Sequence, residues 1–437
     1  MRNEDLFALD KAHLIHPLSP VGEASRIILN RGEGVWLYDL DGKAYLDARA
    51  QLCCVNLGYG HTGVIDAVKA QIDQLPFAAL FYGIGHPPAI ESAARIAALA
   101  PGTLDHVFFC SGGSEANELA FSLVRQYWSK VKPTKFKFIS RYEGYHGNTA
   151  AAMTASGMDM AGMPGVPGLL AGHIHIEPPY QYRRGRDMDP KDFAVMCANE
   201  FAQVIEREGA DSVAAFVAEP IMGVGGYIPP PANYWKLVRE ICDTYEVLLI
   251  LDEVMTGFCR TGRMFASETY DVTPDMMVLG KGITSNYVPC GAVVFNDRVF
   301  EQVRGSYVTG VTNSGHPLAM AASLAALDAY ENENICSNVE SVSHQVFVRL
   351  NAAAEHLDYI GEVSGKGLMI GVELMNADGE PVSGEICQQI VSKALDIGML
   401  LRARGSRLSI SPPLNISTEE AGILCDRLLE ATAAVMD

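Results

Sequence analysis

Leu248-Leu249-Ile250-Leu251-Asp252-Glu253-Val254 is the segment from which the fold can be read. Four apolar residues run directly into an acid pair. A strand that is apolar along its whole length has both faces covered, so this one belongs inside a sheet with helices above and below. In open α/β sheets ligands bind beyond the carboxyl ends of the strands, which is where Asp252 and Glu253 fall. An acid at that edge can serve a metal, a ribose or a protonated ring nitrogen. It can equally cap the helix that follows.

Working outward, similar β-branched or apolar runs occupy residues 106–110, 136–140, 213–218, 276–279 and 292–295, with the quoted strand at 247–251. Between the first two lie Ala116, Leu119, Ala120, Leu123, Val124, Tyr127 and Trp128, spaced by three and four as on one helix face. Alternating strands and helices predict βαβ units and a mostly parallel sheet. The chain ends read differently. Residues 35–38 and 44–46 flank Asp41-Gly42, a hairpin turn signal. Beyond Pro317 come a long helical pattern, strands at 368–374 and 408–411, and then Pro412-Pro413. The expectation is an α/β protein with a large domain over residues 71–318. A smaller α+β domain is expected from residues 1–70 and 319–437 together.

Composition excludes several classes. With 49% hydrophobic and 19% charged residues the chain is too apolar to be disordered. Its 41 glycines and 22 prolines follow no fixed period, so it is not a fibrous repeat. A net charge of −19 argues against a nucleic-acid partner, which requires a basic footprint. No run approaches the roughly 18 apolar residues of a membrane span. The first ten residues carry Arg2, Glu4, Asp5 and Asp10, and so lack the apolar core of a signal peptide. None of the ten cysteines lies in a CxxC pair, and the adjacent Cys53-Cys54 is not a zinc spacing. Reduced thiols in a soluble cytoplasmic protein, with no metal, are expected.

Two further stretches carry chemistry. Ser111-Gly112-Gly113-Ser114 sits between a strand and the striped helix, where free backbone N–H groups can cradle a phosphate. The same residues suit a tight turn with a serine cap. Leu279-Gly280-Lys281-Gly282-Ile283 follows Asp252 by 29 residues at Lys281. Schiff-base chemistry uses lysines held out of water, and this one is poorly suited to a solvated surface. A phosphate cradle, an acid at a strand end and such a lysine together fit pyridoxal 5′-phosphate. Asp252 would keep the pyridine nitrogen protonated, making the ring a better electron sink.

The motifs Ser-Gly-Gly-Ser-Glu-Ala-Asn (111–117), Tyr-His-Gly (145–147), Ala-Glu-Pro (218–220), Leu-Asp-Glu-Val (251–254), Thr-Gly-Phe-Cys-Arg-Thr-Gly (256–262), Gly-Lys-Gly-Ile (280–283) and Ser-Gly-His-Pro (314–317) occur in order, closed by Pro-Pro-Leu (412–414). In these the chain resembles the class III aminotransferases, pyridoxal-phosphate enzymes of fold type I. His13-Leu14-Ile15-His16-Pro17 is similar to the ω-amino acid and amine:pyruvate branch.

The resemblance implies a transaminase that moves an amino group from a primary amine or ω-amino acid to a keto acid, with pyruvate favoured. The mechanism would be ping-pong, through pyridoxamine phosphate. It makes Lys281 the Schiff-base lysine and proton carrier, and Asp252 the partner of the ring nitrogen. Val254 and Tyr145 would cover the two ring faces. Gly113 and Ser114 would hold the phosphate, joined by Thr312 from a second subunit, so the enzyme would be a homodimer or tetramer with shared sites. His146 and Glu219 complete the cofactor set, Glu219 standing near the ring hydroxyl or ordering its neighbours. Leu52, Cys53, Phe81, Tyr82 and Tyr145 would line the substrate pocket, and Arg402 would anchor the carboxylate, with Arg404 and Arg407 as rivals. Phospho-lyases, aminomutases and racemases of the same family use the same lysine and aspartate, and are the alternative. Four departures stand out: Cys53 where many relatives have tryptophan, Asn148 for an arginine, Asn313 for an aromatic residue, and Ser406 for an acid.

Overall fold

The computed structural model describes residues 3–158 and 170–436. At its centre lies a seven-stranded sheet in the order His106–Cys110, Gly291–Phe295, Met276–Leu279, Leu248–Asp252, Val213–Ala218, Lys137–Arg141, His173–Ile176. Only Gly291–Phe295 runs against its neighbours. Every residue of Val213–Ala218, Leu248–Asp252 and Met276–Leu279 is buried, as their sequences, apolar but for the terminal Asp252, require. One face is covered by the helix Gly113–Val131, whose buried side includes the whole apolar stripe from Ala116 to Trp128. The other is covered by Pro190–Glu208 and Tyr234–Thr244, which contribute Phe193, Phe201 and Trp235. The α/β fold expected of the sequence is thus the one observed.

Three strands of this sheet differ from the sequence reading by one residue at one or both ends: Lys137–Arg141, Leu248–Asp252 and Gly291–Phe295. The edge strand His173–Ile176 was not expected. Its first three residues are only half-buried, so it lacks the apolar run that marks the inner strands.

The chain ends meet in a second sheet, where Met399–Leu400 pairs in parallel with Ala44–Asp47 beside Trp36–Asp39 and Leu29–Glu33. The Asp41-Gly42 turn is closed by the Asp39 carboxylate, which accepts the N–H groups of Asp41 and Lys43. A third sheet orders Ile360–Lys366, Met369–Leu374, Arg407–Ile410 and Arg402–Arg404. Its last two strands form a hairpin in which Arg404 faces Arg407. The helical pattern after Pro317 divides into Pro317–Asn332 and Ile335–Ala354, because Asn334 takes a left-handed φ of 56°.

One expectation is corrected. Cys259 and Cys336 form a disulfide with Cα atoms 5.0 Å apart, so the cysteines are not all reduced. The partners lie 77 residues apart, and spacing alone does not announce such a pair. Among the described residues, no helix is long and apolar enough to cross a membrane, and no three side chains are grouped to hold a metal ion.

Candidate active site

Three chain segments converge where the parallel strands end. The first delivers Asp252, the last residue of its strand and buried. One of its oxygens lies 2.8 Å from His146 Nδ1 and accepts the Asn117 amide at 2.9 Å. The other accepts the Val254 N–H at 3.1 Å. A carboxylate only accepts, so the His146 proton sits on Nδ1. Asn117 also donates to the His146 carbonyl at 2.8 Å, locking the pair together.

The second segment is the start of the helix Gly113–Val131. A Cβ on Gly113 would stand 3.0 Å from both Val254 methyls, and one on Gly280 would stand 3.2 Å from the same side chain. A side chain at either position would crowd Val254, so close approach favours glycine at both. The Gly113 and Ser114 amides take no protein partner among the described residues. Two free N–H groups at the start of a 19-residue helix make an anion site. The Ser114 hydroxyl pairs with Asn148, donating to its side-chain oxygen at 3.1 Å and accepting its backbone N–H at 3.2 Å.

The third segment is the turn carrying Lys281. This residue has φ of 44°, a left-handed conformation that non-glycine residues seldom hold unless their surroundings impose it. The surroundings are specific. Tyr330 donates its hydroxyl to the Gly282 carbonyl at 2.7 Å. A Cβ on Gly282 would lie 2.6 Å from Asn56 Nδ2 and 2.8 Å from Phe258 Cβ. The half-buried Lys281 amine has no hydrogen-bond or ion-pair partner among the described residues. Its charge does reach Cys54, whose thiol is pushed up by burial and partly held back by Lys281.

Around this core, Glu219 is fully enclosed. It accepts the Tyr145 N–H at 3.0 Å with one oxygen and the Gly223 N–H at 2.6 Å with the other. Burial raises its pKa, opposed by the His146 charge. The Tyr145 phenol is raised by burial and by Asp252, and Arg402 opposes the shift, so these three groups share one region.

The three candidate arginines separate clearly. Arg407 is buried and committed to Glu362 at 2.8 Å, Glu373 at 3.3 Å and the Gly226 carbonyl at 2.9 Å. Arg404 lies 3.8 Å from Glu143. Arg402 is half-buried and donates to the Val224 carbonyl at 3.0 Å, with no carboxylate partner among the described residues. Ser406, where an acid was expected, joins Arg183 and Glu373 in the buried cluster around Arg407.

Leu52 is 61% exposed, whereas Cys53 behind it is buried against Tyr227 and Met255. Ala50, Gln51 and Cys53 all have positive φ, so this segment is strained in the same manner as Lys281. Phe81 is half-buried beside the exposed Tyr82, and Thr312 and Asn313 are exposed. Sequence reasoning assigned no role to Asn117 or Arg260. Both lie inside quoted motifs, yet their partners Asp252, Asn56 and Pro412 are distant in sequence.

A free lysine amine, a pair of unpartnered amides at a helix start and a buried carboxylate suit the aldehyde, phosphate and ring nitrogen of pyridoxal phosphate. On this sheet, they define a fold type I pyridoxal-phosphate enzyme. The chain belongs to the class III aminotransferases, whose family model matches residues 19–432. It is 38% identical to a putrescine–pyruvate aminotransferase of Pseudomonas aeruginosa, over 98% of this chain and 96% of that one. It is 34% identical to a diaminobutyrate–2-oxoglutarate transaminase of Halomonas elongata, over 95% and 92%. An (S)-enantioselective omega-transaminase from Thermomicrobium roseum superposes with a TM-score of 0.95 at 38% identity, covering both chains fully. The omega transaminase of Pseudomonas jessenii in complex with PMP superposes at 0.94 with 35% identity, over 98% of each chain. The protein is a pyridoxal-phosphate-dependent aminotransferase.

Proposed function

We propose that the enzyme takes the amino group of a primary amine or ω-amino acid and passes it to a small keto acid, pyruvate in preference to 2-oxoglutarate. The observation that carries this reading is Arg402. It is a cation beside Tyr145 held by a neutral carbonyl, and so is available for a substrate carboxylate in bidentate geometry. The named relatives include both a pyruvate and a 2-oxoglutarate enzyme, and the first is the more similar.

When bound, pyridoxal phosphate supplies the electron sink for the carbanion at the substrate carbon. The chain supplies the rest. Lys281 holds the cofactor and carries the proton to and from the reacting carbon. Asp252, braced by His146 and Asn117, keeps the ring nitrogen protonated. Val254 and Tyr145 would pack against the cofactor, and Glu219 fixes the Tyr145 backbone. Gly113 and Ser114 bind the phosphate. Leu52, Cys53 and Phe81 shape the pocket for the amine.

We further infer a homodimer in which Thr312 completes the phosphate site of a second copy. Tyr82 and Tyr307 support this, being 98% and 100% exposed in the single chain. The cytoplasm, and domain divisions after residues 70 and 318, belong to the same reading. A screen of donors and acceptors, followed by the visible absorbance of the bound cofactor, tests it. Primary amines should bleach the absorbance and pyruvate should restore it. Failure of every amine, or restoration by 2-oxoglutarate alone, would overturn the donor or the acceptor assignment.

A further inference from the structure

The Cys259–Cys336 disulfide joins two parts of the molecule that meet at the lysine-bearing turn. Cys336 is half-buried in the first turn of the helix Ile335–Ala354, while Cys259 is wholly buried. Cys259 and its neighbour Phe258 are consecutive left-handed residues, with φ of 65° and 57°. Neither is glycine, so this backbone persists only where its surroundings hold it.

What holds it is visible on both sides. The Phe258 carbonyl accepts the Asn56 amide at 2.9 Å, and its ring packs on Tyr330 with centroids 5.8 Å apart. Phe258, Asn56 and Tyr330 are the three residues that close around Gly282, next to Lys281. On the other side, Arg260 reaches Asn56 at 2.8 Å and the Pro412 carbonyl at 2.5 Å. The crosslink therefore pins the one residue, Cys259, that stands between the packing of the lysine turn and its anchor in the C-terminal segment.

We propose that this disulfide is a redox-sensitive clamp on the Lys281 turn. Oxidised, it keeps Phe258 pressed on Gly282; reduced, it lets the left-handed pair relax and loosens the cofactor. In reducing compartments persistent disulfides are rare, and those that occur are commonly catalytic or redox-sensing. A dithiol supplies the reduction. Its thiolate attacks Cys336 Sγ, the more accessible sulfur, and the S–S bond breaks. Cys259 leaves as a thiolate and takes a proton. The second thiol of the reductant then displaces Cys336 as a thiol, and the reductant departs as its cyclic disulfide. Two electrons and two protons enter the protein.

The inference rests on Lys281 as the cofactor-bearing lysine, and its test separates the two claims. Thiols of the unreduced holoenzyme are counted after denaturation, expecting eight of the ten cysteines to react. The native holoenzyme is then treated with dithiothreitol. Its melting temperature should fall by about 5 °C or more, and pyridoxal phosphate should dissociate about tenfold faster. Reoxidation with oxidised glutathione should reverse both changes. Cys336→Ser should behave as the reduced enzyme and ignore dithiothreitol. Ten reactive thiols before reduction would overturn the clamp. So would a reduced enzyme that releases its cofactor at the oxidised rate, leaving a plain structural staple. If Lys281→Ala leaves the visible cofactor signal intact, it is instead the assignment of Lys281 that fails.

Discussion

His146 Nδ1 lies 2.8 Å from Asp252 Oδ2, with both side chains buried. On the proposed roles, the imidazole would act on the reaction through the aspartate. Asp252→Asn removes the charge proposed to keep the ring nitrogen protonated, and turnover should fall about a thousandfold or more. His146→Ala should cost roughly 10–100-fold, the worth of one hydrogen bond to a charged group. It should also shift the pH–rate profile. An unshifted profile would reduce His146 to a packing residue.

Arg402 and Arg407 sit five positions apart on one hairpin and are expected to fail differently. Arg402→Ala should raise the pyruvate KM about a hundredfold while changing that of an uncharged amine little. Arg407→Ala removes one of the two arginines on the buried Glu373, leaving Arg183 at 2.6 Å, and should cost about 1–3 kcal/mol of stability. Half-reaction kinetics and thermal melts distinguish the two. A pyruvate KM untouched in Arg402→Ala would transfer the anchor to Arg404.

Gly113→Ala tests the cradle without altering charge. Its Cβ would press on both Val254 methyls at 3.0 Å, displacing the side chain proposed to pack on the ring. Overpacking of this kind costs about 1–3 kcal/mol, so cofactor affinity measured by dialysis should drop about tenfold or more. Wild-type affinity would show that the loop and Val254 can part freely.

Glu253 gives stability a pH dependence of defined sign. Burial pushes its carboxyl up to about 7, against hydrogen bonds from Thr256, Ser267 and Ala266. The folded state thus holds a proton that the unfolded state releases. This contribution is complete below about pH 4.5 and is lost as pH rises through about 7, a change on the order of 3 kcal/mol. Melting profiles of Glu253→Gln should fall less steeply than wild type across that window. Parallel profiles would contradict the assignment.

Much of this architecture was legible before any coordinates, for local reasons. Apolar runs such as Leu248–Leu251 and Val213–Ala218 announce a covered sheet. Lys281 stands out as a candidate because its flanking glycines are contiguous with it, and the same holds for Gly113. What sequence could not supply is pairing across distance. The Arg407 cluster draws Tyr180, Glu362 and Glu373 from separate segments, none of which looks unusual alone. Cys259 and Cys336 carry no spacing signal, and the half-buried His173–Ile176 lacks the hydrophobicity of an inner strand. The difference between Arg402, held by a carbonyl, and Arg407, committed to buried carboxylates, shows only in their partners, which sequence does not give.

The central claim is that Lys281 is the residue that bears the cofactor, its left-handed turn held by Phe258, Asn56 and Tyr330. Borohydride reduction of the holoenzyme followed by peptide mapping tests this most directly. The account predicts the pyridoxyl label on the peptide containing Lys281, and its loss in Lys281→Ala. A label on any other lysine, or none at all, would contradict it.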